Sequence, residues 1–480
     1  MIMKKILNVL CSVAMLFVLG SCDDFLNEVS KSSLTPENSF SSASDWNKAV
    51  NSAYAMLQDL YVGKYTMTLN EFGTDEVEPF DRSWAAYNEL MLYTYSSSHE
   101  FFRVHYIWAY DGIKRCNTVI DMPSSAPVSS SDRTMMIAQA KFLRALYYFD
   151  LVASYGGVPM WTSASIDRNE ISKPRVSADD VYALIVKDMA EAAEILPATW
   201  PDSDKGRATS YAANALLGRF YLQWGKPDEA LKALNKVIGK FSLYDNYADI
   251  FDPAHKNEEI ENIFEVQFSH SGKWGLEGSI QSSYWGPRGG GGPTAGGFGW
   301  GGFGPTQYLY DSYDKADKRR EAFFCTEYMG VAQNPPCIMK YRDEKYGSEI
   351  EDDDLNYIMV RYPDVLLMKA EALNDIGDSS NDKYDCLNIV RKRAGLKNIT
   401  SADNLTKDQF ASVVLEERLH ELCCEHHRRF DLIRFGKLID QVKAAHPEIN
   451  IDSHHNLYPI PQQAIDSNDA MTDADQNPGY

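Results

Sequence analysis

Three carboxylates, Glu417, Glu421 and Glu425, recur at every fourth residue, with Arg418, Arg428, Arg429 and Arg434 close by. A hydrolytic acid–base pair needs two such groups flanking one cleft, in environments that push their pKa values apart. Acids at i, i+4 and i+8 instead share one face of a helix, where neighbouring arginines pair with them. The spacing therefore predicts a helix-borne ion-pair network rather than a catalytic dyad. His420, His426 and His427 raise the question of a metal. On a helix, His420 and His427 stand two turns apart, about 10 Å along the axis, too far to share one zinc ion. They are expected to be packed or surface histidines. Glu351-Asp352-Asp353-Asp354 offers hard oxygens that suit calcium, but without the alternating order and glycine of an EF-hand. A solvated acidic loop is expected there, and no cofactor or metal site is assigned. The chain contains no GxSxG elbow, no Walker loop and no HExxH.

The remaining chemistry is recognition. Trp274, Tyr284, Trp285, Phe298, Trp300 and Phe303 surround residues 286–304, where 11 of 19 positions are glycine and Arg288 is embedded. Such a stretch cannot be the interior of a regular element, and a long loop in a compact fold is often functional. Sugar rings present C–H faces that lie on flat aromatic rings, while their hydroxyls need carboxylate, amide or guanidinium partners. A second polar–aromatic segment holds Asn70, Glu71, Asp75, Asp81, Arg82, Trp84, Tyr87 and Asn88. Trp84, Trp285 and Trp300 are the expected stacking platforms, with Asp81, Arg82, Tyr87 and Arg288 as further ligand contacts. Trp108, Trp161 and Trp224 fall on the helical framework and are expected to pack there.

The elements that must position these loops are mainly helical. Residues 45–60, 106–120 and 135–153 have helical spacing, and the last is apolar on nearly every side, so it must lie among other helices. Gly156-Gly157 and Pro159 stop it. Residues 207–239 read as two helices joined at Lys226-Pro227-Asp228. Leu217, Gly218, Tyr221 and Ala230 match four tetratricopeptide positions. A similar pair is expected at 362–376 and 380–394, turned by Gly377-Asp378. Residues 413–442 read as one more helical region, which would place the adjacent Cys423 and Cys424 on different faces. Strand signals are few: residues 263–268 alternate, and short pieces around 339–342 and 359–362 are expected to pair locally.

The 480 residues are 44% hydrophobic and 24% charged, ordinary globular values, and 12% aromatic. A formal charge of −21 argues against a nucleic-acid partner. Lys4 and Lys5 precede an apolar run at residues 6–19 that ends at Gly20-Ser21-Cys22. That run is too short to span a bilayer comfortably and reads as a secretory signal. Small residues before Cys22 resemble the bacterial lipobox, which implies cleavage there and a covalent lipid on Cys22. Asp23 and Asp24 resemble the surface-export signal of Bacteroidetes lipoproteins. The other cysteines show neither CxxC nor zinc spacing. Cys325 and Cys337 are the nearest pair for a disulfide, with buried free thiols as the alternative.

Taken in order, these blocks resemble the SusD/RagB family of Bacteroidetes outer-membrane lipoproteins. The resemblance is carried by Cys22 with its acids, Ala140-Lys141-Phe142-Leu143-Arg144-Ala145, Tyr155-Gly156-Gly157-Val158-Pro159 and the tetratricopeptide pair. It continues through Arg361-Tyr362-Pro363-Asp364, Asn388-Ile389-Val390-Arg391, Glu417-Arg418 and Phe430-Asp431-Leu432, and ends with Tyr458-Pro459-Ile460-Pro461 and Gln476-Asn477-Pro478-Gly479-Tyr480. Two positions depart from the family pattern: His426 stands where a glycine is usual, and Arg429 where an aromatic is common.

The resemblance implies a mainly α fold, in which tetratricopeptide-like pairs form a right-handed scaffold beside a loop-rich ligand-binding subdomain with few short strands. It implies a signal peptide at 1–21, an N-terminal region at 22–255 and a C-terminal region at 256–480. It further implies a non-enzymatic, surface-exposed, lipid-anchored outer-membrane protein. Such a protein binds an oligosaccharide and delivers it, as a lid, to a SusC-like TonB-dependent transporter. A RagB-like peptide-binding role and a surface glycosidase or scaffold are the alternatives.

Overall fold

The computed structural model describes residues 40–63, 65, 67–80, 84–164, 171–272, 277–287, 302–343 and 352–480. Contacts divide the chain into two compact units. In the small one, whose described parts are 40–46 and 123–128, Phe40 stacks on Trp46 at 4.3 Å. The other contains residues 47–122 and 129–480, so residues on both sides of the expected 255/256 division belong to one body. Among the described residues no helix is long and apolar enough to cross a membrane.

The helical frame runs α1 (Ala43–Val62), α2 (Ala85–Leu92), α3 (Glu100–Ile120), α4 (Ser130–Tyr155), α5 (Ala178–Ile195), α6 (Ser210–Gln223) and α7 (Pro227–Leu234). Short helices α8 (Gln281–Trp285), α9 (Gln307–Ser312) and α10 (Lys318–Phe323) follow. Then come α11 (Tyr362–Asp375), α12 (Asp382–Arg393), α13 (Lys407–Leu422), α14 (Arg428–Arg434), α15 (Leu438–Ala445) and α16 (Gln462–Asp466).

Helix α4 begins where Ser129 accepts the N–H of Asp132 at 3.1 Å and stops at Gly156, whose φ of 73° leaves the helical region. Between these ends it is buried almost all round, Phe142, Leu143, Tyr147, Tyr148 and Leu151 included, and it packs against α3 and α5. Each such side chain contributes about 1.5–3 kcal/mol by leaving water.

Both expected helix pairs form. In α6–α7, a Cβ on Gly218 would lie 2.5 Å from Leu234 Cδ2, so glycine is what allows the two helices to close. The pair α11–α12 turns at Gly377, with φ 71°.

Three two-stranded antiparallel sheets are present among the described residues. Strand β1 (Val77–Pro79) pairs with β3 (Phe303–Pro305), β2 (Asn262–Val266) with β6 (Tyr357–Arg361), and β4 (Phe324–Tyr328) with β5 (Val331–Ile338). Cys325 faces Cys337 across the last pair, and both are free thiols.

Two expectations are corrected. Residues 339–342 form no strand; Met339 donates to the Phe323 carbonyl, and Lys340 turns inward. Residues 413–442 are not one helix. The chain breaks after Leu422 because Cys424 (φ 60°) and His426 (φ 65°) adopt left-handed conformations that no right-handed helix contains. The second is the position where the resemblance led one to expect glycine, the residue that adopts this conformation without strain. Buried carboxylates hold the turn: Glu76 accepts the Cys424 N–H and Glu71 accepts the His426 N–H.

Candidate ligand-binding site

Trp84 precedes α2 in extended conformation (φ −86°, ψ 111°) and is half-buried. One side of its ring rests on Tyr87 at 4.5 Å and, edge to face, on Phe101 at 5.3 Å. Tyr87 is buried, with Phe72 at 5.1 Å and Phe303 at 6.2 Å. The β1–β3 pairing sets Pro79 opposite Phe303. Two segments more than two hundred residues apart therefore share one aromatic cluster, where the sequence had offered two separate stretches, and Tyr284 joins it 5.6 Å from Phe303. Gly304 belongs to this junction, since a Cβ there would meet the Phe80 ring at 2.6 Å.

Trp285 is only 1% exposed, set edge to face on Phe303 at 4.7 Å and beside Tyr341 at 5.5 Å. Trp285, expected as a stacking platform, and Tyr87, expected as a ligand contact, are both buried: Tyr87 supports Trp84, and Trp285 packs on Phe303. Asp81, Arg82, Arg288, Trp300, Trp274, Phe298 and the lipidation candidate Cys22 lie outside the described residues.

The polar residues of the first segment have an unexpected role. Glu71, Asp75 and Glu76 are fully buried. Asp75 grips Arg428 through both oxygens (2.8 and 2.6 Å), while Glu71 and Glu76 hold the 424–426 turn. Burial pushes Glu71 up to about 8 and holds Glu76 well above the usual carboxylate range, and the two carboxyls hydrogen-bond each other. The loop leading to Trp84 is thus riveted to the C-terminal helices.

The candidate acid–base residues are equally committed. Arg319 bonds Asp317, Glu417 and Glu421; Arg361 bonds Glu261, Glu421 and Glu425. Lys340, Arg391 and Arg393 complete a network in which five basic groups face five carboxylates. Beside it, Arg219, Arg418 and Arg434 pair with Asp364, Asp431 and Glu371. Burial alone would raise Glu421 and Glu425, but the surrounding guanidiniums hold both below the usual carboxylate range. Acids so paired are charged and enclosed, without access to a substrate.

Sequence reasoning found the acids of α13 but missed Lys340, Arg319, Asp317 and Glu261. A charged residue inside an otherwise apolar strand or turn, as at Arg361 and Lys340, is the pattern that marks such partners.

His420, His426 and His427 are all buried. Burial lowers His420 and His427 to about 3 and His426 to about 4, and His420 Nε2 lies 2.9 Å from Ser312 Oγ. Asp452, His454 and His455 have metal-like spacing. However, His455 Nδ1 accepts the Asp452 N–H at 3.2 Å and its ring also bonds the Tyr93 backbone, so that imidazole is spent. The acidic run is not a solvated loop: Asp352 and Asp353 are buried, and Asp353 accepts the N–H groups of Ser282 (2.8 Å) and Leu355 (3.1 Å). Glu351 lies outside the described residues.

Residues 327–480 match the SusD family, and residues 24–222 match a SusD-like family described as starch-binding and associating with the outer membrane. The chain belongs to the SusD-like family. It is 28% identical over 530 residues to SusD-like protein P25 of Formosa agariphila, covering 99% of this chain and 100% of that one. A solved laminarin-binding SusD-like protein superposes with a TM-score of 0.79 at 26% identity, over 92% of this chain and all of the other. Surface glycan-binding protein A of Bacteroides thetaiotaomicron, solved with laminarihexaose, gives a TM-score of 0.76 at 23% identity, over 91% of this chain and 99% of that one. At that identity the likeness is one of fold. The SusD-like assignment agrees with the mainly helical architecture, its tetratricopeptide-like pairs and its few short strands.

Proposed function

We propose that this SusD-like protein is a non-enzymatic glycan-binding lipoprotein of the outer-membrane surface, anchored by a lipid on Cys22. It captures an oligosaccharide and passes it to a SusC-like TonB-dependent transporter, over which it acts as a lid. The observation that carries this reading is the near full-length likeness to a laminarin-binding SusD-like protein. The family description, which names starch binding and outer-membrane association, supports it.

The chemistry of the site agrees. The carboxylates that would serve hydrolysis are locked in buried ion pairs. The half-buried Trp84 is held among Tyr65, Tyr87 and Phe101, so its ring is fixed in advance, and its exposed part is proposed to meet the C–H face of a pyranose. Asp81, Arg82, Arg288 and Trp300 are proposed to supply hydroxyl partners and a second ring around it.

Calorimetry of the mature domain lacking Cys22, against oligosaccharides and short peptides and with product analysis of each mixture, tests the reading. Saturable sugar binding without cleavage is expected. Binding of peptides alone moves the protein to peptide capture, and released sugar products make it a hydrolase.

A further inference from the structure

Helix α3 carries Phe101, on which Trp84 packs, near its start. Nine residues later, about 13 Å along the axis and roughly half a turn round the helix, Tyr110 faces the opposite way. A groove of about 410 Å³ opens there, floored by Tyr106 and Tyr110 and walled by Trp161, Pro159, Pro461 and Ala464. That volume is within the usual range of about 300–1,000 Å³ for small-ligand sites. The Tyr106 and Tyr110 rings lie 4.8 Å apart, and Tyr110 meets Trp161 edge to face at 5.3 Å. Tyr110 donates to the Pro159 carbonyl at 2.6 Å and is hydrogen-bonded to Tyr106. Trp161 is fixed through its backbone, its N–H donating to Tyr148 Oη at 2.7 Å. The ring positions are therefore set before any ligand arrives, and the tyrosine hydroxyls are already spent.

The lips are apolar, with Ile107 42% and Ile171 60% exposed. Arg103, Asp111, Lys114 and Gln463 form the rim, and their side chains make no hydrogen bond or ion pair with other described residues. Both charge signs and an amide are thus available around a fixed aromatic floor. Arg103 and Lys114 would attract an anionic group while Asp111 would repel it, so the rim is mixed rather than an anion clamp, and an acyl chain would leave the whole rim unused. A neutral polyhydroxylated ring engages both parts, with its C–H face on the aromatics and its hydroxyls on the rim.

We propose that this groove is a second glycan-binding site, on the opposite face of α3 from Trp84, taking a short neutral segment of the same oligosaccharide or of a neighbouring chain. The proposal rests on the glycan-binding reading above and extends it. Two sites on one body would hold a polymer at two points, so that the second contact forms at a high effective concentration.

The test is titration of the mature domain with laminarihexaose, taken to about 10 mM, where a site with a Kd of about 1 mM is filled. Calorimetry and ligand-observed saturation-transfer NMR would be the readouts. Wild type should bind two ligands per chain. Trp161→Ala and Ser467→Trp, the latter filling the groove from an exposed position, should each bind one. Trp84→Ala should retain one event that Ser467→Trp then removes. A single event in wild type, changed less than twofold by both groove variants and lost in Trp84→Ala, overturns the second site and leaves the first standing. No binding of any glycan in a wider panel overturns both readings together.

Discussion

Replacing Glu421 by Gln tests whether the α13 carboxylates hold the fold or serve chemistry. Glu421 is fully buried and accepts from Arg319 at 3.1 Å, Arg361 at 2.6 Å and Arg393. A charge-assisted hydrogen bond contributes about 1.5–3 kcal/mol, so simple addition over three arginines would predict up to about 9 kcal/mol. That sum is too large, because each arginine keeps other partners. Arg319 retains Asp317 and Glu417, Arg361 retains Glu261 and Glu425, and Arg393 retains Glu261. What the substitution creates is one uncompensated buried positive charge, with an amide NH₂ turned toward guanidinium donors. Breaking a buried pair in this way costs about 3–5 kcal/mol, which is the expected loss. Guanidinium chloride unfolding at pH 7, followed by circular dichroism, measures it. The exposed Glu194, paired with Lys236, is the control, and Glu194→Gln should leave the midpoint unmoved. Glycan affinity of the folded E421Q protein should equal wild type. A loss below about 1 kcal/mol, or an intact fold with altered ligand turnover, would refute the structural role.

Trp84→Ala should weaken sugar binding at least tenfold, about 1.4 kcal/mol, with a cooperative thermal transition retained; unchanged affinity by calorimetry would remove Trp84 from the site. For Glu71 the sign is fixed by its raised pKa. The folded state keeps the proton that the unfolded chain releases near pH 4.5, so stability is fully present below that pH and is lost as pH climbs toward about 8. The slope is at most about 1.4 kcal/mol per pH unit for one proton, and Glu71→Gln should flatten it in urea titrations between pH 5 and 8. Asp431 and Glu421 act in the opposite sense. Their depressed values give stability that is present above about pH 4 and lost on acidification, toward about pH 2 for Asp431, so acid should unfold the protein in that range. Gly218→Ala should cost about 1–3 kcal/mol by overpacking against Leu234, and Leu234→Ala in the same chain should recover part of it in denaturant melts.

The helical frame was legible because its information is local. Apolar spacing marked α4, and the glycines at 218 and 377 marked the pairs, since each acts within a turn or on an adjacent helix. The carboxylate spacing on α13 also pointed correctly to ion pairing. What sequence could not supply was set by distant partners. The run through Cys424 reads as a helix by periodicity, yet Glu71 and Glu76, some 350 positions away in the chain, hold it in a left-handed turn. Trp285 looked like a platform because it borders a glycine-rich stretch, but β1–β3 pairing encloses it against Phe303. Trp161 looked like framework because it follows a buried helix, and it instead borders an open groove. Whether an aromatic ring ends inside or at a surface depends on which remote segment lands beside it, and residue type does not encode that.

The rivets between residues 71–76 and 424–428 join positions 348 to 355 apart in sequence. Contacts that close so long a loop meet a large entropic cost before they return any energy, and they tend to form late. During synthesis, residues 71–76 therefore lack these partners until the last sixty residues have been made. A chain cut short before Cys424 would keep Trp84 and every residue of its loop, yet have nothing to fasten that loop in place. Seating of the segment before Trp84 then reports that the chain has been made to its end.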